Sequence, residues 1–315
     1  MEHLVSTPAL LCRGISFGTA EDQPELVLRD ASEQSQNLVL SAGSTIGFTV
    51  LPGRWCLGHQ LVHGRNQRTN VPCPDEKEIS HGTQCESCAA ADQTRAMHDF
   101  HRSGRAGAGL REYLMQEHWL YIASFANGAT KVGTAANPSK WRRLAEQGAV
   151  CASYVGWAAD GAQIRILEDT VTRELGISQQ VRAQAKVRGL LDSHTTAKAL
   201  KELTNTKAAG ARKLIAGLPD ASDTTFISVN EDWQPPNLAL GLINGWNSNA
   251  LQSYPAELTS GEHGFVIESV LGQSLGVKLG SESDTFVHDA TKLKGRKLRL
   301  GNFTTDSPAV QAALF

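Results

Sequence analysis

Four of the six cysteines crowd into one window as Cys56, Cys73, Cys85 and Cys88, with His59 in the pattern Cys56-x-x-His59 and the last pair as Cys85-Glu86-Ser87-Cys88. Two residues between ligands allow a tight turn to aim both side chains at one ion, and zinc takes four such groups in a tetrahedron. There are five candidates for four positions. Cys56, Cys73, Cys85 and Cys88 make one set, and His59 in place of Cys73 makes the other. A closed set of four ligands points to structural Zn2+ that serves folding and not catalysis. A secreted disulfide framework would be denser in a shorter chain. Cys12 and Cys151 lie outside the cluster and read as ordinary core or surface residues.

A second set of residues sits in mid-chain. Trp119-Leu120-Tyr121 is followed by Lys131-Val132-Gly133, then by Arg143 and Glu168 on two successive expected helices. This order resembles that of the GIY-YIG endonucleases: tyrosine, second motif, arginine, metal-binding glutamate. Phosphodiester hydrolysis needs a base near the attacking water, a cation for the charge that develops on phosphorus, and a metal ion or acid for the leaving oxygen. The resemblance therefore implies that Tyr121 activates water, Arg143 stabilises the phosphate and Glu168 anchors a catalytic Mg2+. Lys131 departs from the pattern, because the second motif of that family usually begins with tyrosine; lysine can still contact phosphate.

The chain as a whole also resembles a bacterial family of unknown function. The shared features are the Cys56 to Cys88 cluster, His118-Trp119-Leu120-Tyr121-Ile122-Ala123, Lys131-Val132-Gly133-Thr134, Arg143 with Gln147-Gly148-Ala149, and Leu271-Gly272-Gln273-Ser274-Leu275. That resemblance implies an architecture and no activity. His118 reads as a structural histidine that could sit at the rim of a site, and Gln147-Gly148-Ala149 reads as a helix stop.

The elements that must carry these residues give an α+β chain with β-rich ends, a small zinc-held unit and a central GIY-YIG-like module of a hairpin plus helices. Residues 1–51 alternate short apolar runs with polar breaks, as antiparallel strands do. Residues 52–109 are rich in Cys, His, Gly, Arg and Pro, with little regular structure expected. Residues 110–180 hold the hairpin and two helices. One helix opens near Pro138-Ser139 and stops at Gly148; the other carries Ile164, Leu167, Val171 and Leu175 at helical spacing. Residues 181–219 form a basic helical stretch, and 220–315 return to strands, including Phe226-Ile227-Ser228-Val229. The strands of the two ends are expected to pack or pair together.

Hairpin geometry sets a condition on the nuclease reading. A two-residue turn at Asn127-Gly128 sends Tyr121 and Lys131 to opposite faces of the sheet, because strand side chains alternate. A three-residue loop of Ala126, Asn127 and Gly128, with Gly128 left-handed, puts both on one face. The nuclease reading requires the second register.

With 315 residues, 41% apolar and 20% charged, the chain can bury at least one full core. A net charge of -2 gives no global attraction for nucleic acid, so any affinity must be local. Candidate patches are the basic stretch from Arg182 to Lys213 and the group Lys292, Lys294, Arg296, Lys297 and Arg299. The start, from Met1 to Val5, has no basic region before an apolar run, and no segment reaches membrane-spanning length, so a cytoplasmic protein is expected. Two functions compete. One is a Mg-dependent endonuclease acting on DNA; the other is a noncatalytic, zinc-containing nucleic-acid-binding or regulatory protein that keeps the fold. No motif separates DNA from RNA, and none points to a protein partner.

Overall fold

The structure is a computed structural model that describes residues 8–20, 22–98, 100–192, 195–218, 226–280 and 283–306. The residues from Met1 to Val5 therefore lie outside the described part. The chain opens with β1 (Leu10–Ser16), β2 (Glu25–Arg29), β3 (Leu38–Val39) and β4 (Thr45–Val50). In β4 the alternation places Ile46, Phe48 and Val50 inside and leaves Thr45 exposed. Next comes a hairpin of β5 (His59–Val62) and β6 (Arg68–Val71), then three short helices, α1 (Glu86–Ala91), α2 (Phe100–Ser103) and α3 (Ala108–Leu114). The cysteine-rich segment thus holds more regular structure than its composition suggests.

The central part runs β7 (His118–Ser124), β8 (Thr130–Ala136), α4 (Lys140–Gln147), β9 (Cys151–Ala158) and α5 (Gly161–Leu175). It continues through α6 (Ala183–Asp192), α7 (Ala197–Ala216) and β10 (Phe226–Trp233). The C-terminal part holds α8 (Leu240–Asn247), β11 (Leu251–Ser253), β12 (Gly261–Leu271), β13 (Ser274–Lys278), β14 (Thr285–Asp289) and β15 (Lys297–Leu300).

Strands from both ends of the chain build one nine-stranded sheet, in the order β11-β14-β13-β12-β4-β15-β1-β2-β3. The expected pairing of the ends is therefore present: Phe48 faces both His263 of β12 and Leu300 of β15, and Leu10 faces Leu298. A second, antiparallel sheet has the order β10-β9-β7-β8. Here two expectations are corrected. The run from Phe226 to Val229 joins the central sheet and not the C-terminal group, and a strand, β9, separates the two central helices. The sequence of β9 hides it: Ala152, Tyr154 and Val155 are all buried, so the strand lacks the apolar-polar alternation that marks a half-exposed one.

The two faces of the central sheet bury different partners. Leu120, Ile122 and Val132 pack against Ile164, Leu167 and Val171 of α5 and against Ala208, Ala211 and Ile215 of α7. On the other face, Tyr121, Ala123 and Tyr154 share one core with Phe48, Phe265 and Leu275 of the nine-stranded sheet. Helix α5 starts at Asp160, whose carboxylate accepts from the backbone N–H of Ala162 and Gln163 at 2.8 and 2.9 Å. Helix α4 stops at Gly148, as expected, with φ +67°. Among the described residues, no helix is long and apolar enough to cross a membrane.

Two of the short motifs meet in space and join the sheets. A Cβ on Gly272, at the turn between β12 and β13, would lie 2.6 Å from the backbone nitrogen of Gly148. Beside this contact, Gln147 donates from Nε2 to the Tyr121 hydroxyl at 2.7 Å. Gln273 bonds both backbone groups of Ile15 in β1, accepting at 3.0 Å and donating at 2.7 Å. The helix stop and the C-terminal Leu271-Gly272-Gln273 run are one joint between the central sheet and the terminal one.

Candidate functional site

The zinc-type ligands converge. The Sγ atoms of Cys56, Cys73, Cys85 and Cys88 all lie within 4.8 Å of one another and all four residues are buried. Zinc–sulfur bonds of about 2.3 Å in a tetrahedron place sulfurs about 3.8 Å apart, and Cys73 and Cys85 stand at 3.8 Å. The Cys56 sulfur also accepts backbone N–H groups from Gly58 at 3.4 Å and Cys85 at 3.2 Å, as suits a sulfur carrying negative charge. This buried set is compatible with structural zinc. His59 stands outside it, on β5, with its Nδ1 buried and without a hydrogen-bond partner. Gly58 allows the turn that separates them: its φ is +75°, and a Cβ there would lie 1.9 Å from the Val71 carbonyl oxygen.

The mid-chain residues adopt the register the nuclease reading requires. Phe125 N–H donates to the Ala129 carbonyl at 3.0 Å, which closes the three-residue loop Ala126-Asn127-Gly128, and Gly128 has φ +78°. Tyr121 faces Gly133 and Lys131 faces Ala123 across the hairpin, so Tyr121 and Lys131 share a face, with the Lys131 ammonium 5.8 Å from the Tyr121 ring centre. Gly133 makes room for that ring, since a Cβ there would meet the Tyr121 hydroxyl at 2.5 Å.

The same four residues do not all reach one open site. Tyr121 is wholly buried, and Lys131 and Glu168 are buried too. Burial raises the Glu168 carboxyl above its ordinary range, opposed by Arg165 and, more weakly, by Lys131. The Glu168 carboxylate is already paired with Arg165, one helical turn before it. A magnesium ion keeps several waters and binds through open carboxylates; a lone buried carboxylate held by a guanidinium does not fit that demand. Arg143, by contrast, is exposed.

Arg143 lines a cavity of about 670 Å3 at the edge of the central sheet, beside β8. Its walls come from three directions. Arg142, Arg143 and Glu146 project from α4; Gly161 and Arg165 come from α5; and Arg65 and Arg68 come from the loop and second strand of the β5–β6 hairpin. Five arginines thus line the cavity with one carboxylate, Glu146, whose carboxyl burial raises despite Arg142 and Arg143, while Arg165 is already paired with Glu168 outside the lining. Arg142 approaches Glu146 at 3.7 Å. Among the described residues Arg65, Arg68 and Arg143 form no ion pair within 4.0 Å, although Arg143 and Arg68 act on Glu146 from further off.

His118 lies at the rim as a buried group, its Nδ1 donating to the Gln116 carbonyl at 2.7 Å. Burial lowers its pKa, which favours the neutral ring. Just behind α4, the Lys186 ammonium donates to the Gln147 carbonyl at 2.8 Å and is depressed to about 7, first by burial and then by Lys131 and Arg143.

The two basic stretches that the sequence highlights contribute none of the cavity arginines. Lys201 pairs with Asp232, Lys292 with Glu257 and Lys297 with Glu76, while Arg296 donates to the Gly53 carbonyl. Sequence reasoning missed Arg65, Arg68, Arg142 and Arg165; the available signals were Arg65-Asn66-Gln67-Arg68 beside the cysteines and the Arg142-Arg143 pair.

Fold and site together define an α+β protein with a buried cluster of four cysteines and an arginine-lined cavity between that cluster's hairpin and the central sheet. A family profile described as "Protein of unknown function (DUF2797)" matches residues 43–234, more than half of the chain, and the protein belongs to this family. The match runs from two residues before β4 to one residue past β10, so it takes in the cysteine cluster and the residues that line the cavity. No curated protein and no solved structure matches the chain.

Proposed function

We propose that the protein binds the phosphates of nucleic acid in the arginine-lined cavity, as a zinc-containing binding protein, with DNA as the expected polymer. One observation carries this reading: five arginines from three separate segments converge on a single cavity with one carboxylate in its lining. Arginine is suited to phosphate because its planar donors make paired charge-assisted hydrogen bonds, and gathering like charges is unfavourable unless an anion is to be held. Zinc supplies the cross-link that fixes the short β5–β6 hairpin to α1, and that hairpin carries Arg65 and Arg68.

Phosphodiester hydrolysis is the second reading, favoured by the register that places Tyr121 and Lys131 on one face. It requires Glu168 to leave Arg165 and the Tyr121 hydroxyl to become accessible.

Titrating the zinc-loaded protein with labelled DNA at several salt concentrations tests both. Salt-dependent binding is expected, and Arg142→Ala with Arg143→Ala should weaken it and lower the slope of log K against log salt by about 1 for each phosphate no longer held. Binding and slope unchanged in the double variant would sink the reading. Supercoiled DNA with magnesium or manganese supplies the second arm: cutting that disappears in both Arg143→Ala and Glu168→Ala would establish hydrolysis.

A further inference from the structure

The cavity has two chemically distinct halves. On the α4 and α5 side stand Arg142, Arg143 and Arg165. On the side of the cysteine-rich segment, the Arg68 guanidinium lies 4.1 Å over the Tyr113 ring, and Tyr113 is braced edge-on against His118 at 5.9 Å. Neutral hydrogen-bonding groups surround this stack. Gln116 donates from Nε2 to the carbonyls of Arg65 and Tyr113, which leaves its Oε1 as an acceptor. Gln60, whose Nε2 is bonded to Asn70, also lines the cavity.

Phosphates alone have no use for such a half. A guanidinium set over an aromatic ring makes a cation–π pair on which an unpaired base can stack, and amide groups are suited to its edge. Size points the same way. A cavity of about 670 Å3 falls within the range of roughly 300–1,000 Å3 that encloses a small ligand. A duplex, whose major groove alone is about 12 Å wide, stays outside, while one or two unpaired nucleotides fit.

Resting on the phosphate-binding reading, we infer that the cavity takes the unpaired end of a nucleic-acid strand, with a base on the Arg68–Tyr113 stack and its phosphates against Arg142, Arg143 and Arg165. The zinc-held segment is then the part that tells an unpaired nucleotide from a paired one.

The test uses the zinc-loaded full chain and fluorescence anisotropy with three probes at one salt concentration. They are a duplex with a short single-stranded overhang, the same duplex blunt, and the same overhang built from abasic phosphodiester units. The overhang should bind roughly tenfold tighter than either other probe. Arg68→Lys, which keeps the charge and loses the plane, and Tyr113→Leu should each bring the overhang down to the level of the abasic probe. Equal binding of all three probes overturns this inference and leaves phosphate binding standing. No binding to any probe overturns phosphate binding and this inference with it.

Discussion

At the scale of single residues, the most unusual buried group is away from the cavity. His288 of β14 is wholly buried, its two ring nitrogens have no hydrogen-bond partner, and it packs between the rings of Tyr254 at 5.0 Å and Phe265 at 4.9 Å. Burial, assisted by His263, pushes its pKa down from 6.5 to about 3. Between those two values the unfolded chain holds the proton and the folded chain does not, so stability falls as pH drops from about 6.5 towards 3. A pKa unit is worth about 1.4 kcal/mol, so the loss at about pH 4 amounts to a few kcal/mol. Urea unfolding midpoints at neutral pH and near pH 4 should separate widely for the wild type and draw together for His288→Phe. The cavity arginines illustrate the opposite case: each is an ordinary surface charge until the others stand around it.

At the scale of elements, the joint between the sheets makes the sharpest demand on sequence. Gly272 has φ +61°, and its missing Cβ leaves room for the backbone of Gly148, which itself has φ +67°. Gly272→Ala meets both a left-handed backbone and a main-chain atom that cannot swing away, so a cost of about 2–4 kcal/mol is expected. The displacement of α4 should also disturb the bond from Gln147 to Tyr121. Thermal unfolding of Gly272→Ala checks this, with Gly280→Ala as a comparison, since it has a similar φ of +54° but nothing within 4 Å of the added carbon. Equal losses in the two variants would show that the backbone angle alone, and not the joint, sets the cost. The neighbouring motif residues then explain themselves as packing, with no catalytic role required of Gln147-Gly148-Ala149.

For the whole molecule, the family match and the folding unit do not coincide. Strand β4 lies between β12 and β15, and both fall outside residues 43–234. A fragment of residues 43–234 therefore loses every partner of β4 and uncovers the Tyr121 face of the central sheet, and it should be insoluble or molten where the full chain is cooperative. Chelation separates the other unit. Removing the metal should release about one zinc per chain and abolish DNA binding, while Trp and Tyr signals from the central core persist; retention of binding after complete zinc release would disconnect the cluster from the cavity. Several features were legible in the sequence because they depend on neighbours a few places away: the cysteine spacing, the hairpin turn at Asn127-Gly128, the glycine stop of α4, and the apolar stripe of α5. Other features arise from residues that lie far apart in the chain, and the tertiary structure alone decided them. It chose Cys73 over His59 for the sulfur cluster, inserted β9, carried β10 into the central sheet, buried Tyr121 and Glu168, and brought Arg65 and Arg68 opposite Arg142, Arg143 and Arg165. Short-range spacing is set by backbone geometry, whereas the company a side chain keeps is set by how distant segments bury their apolar faces together.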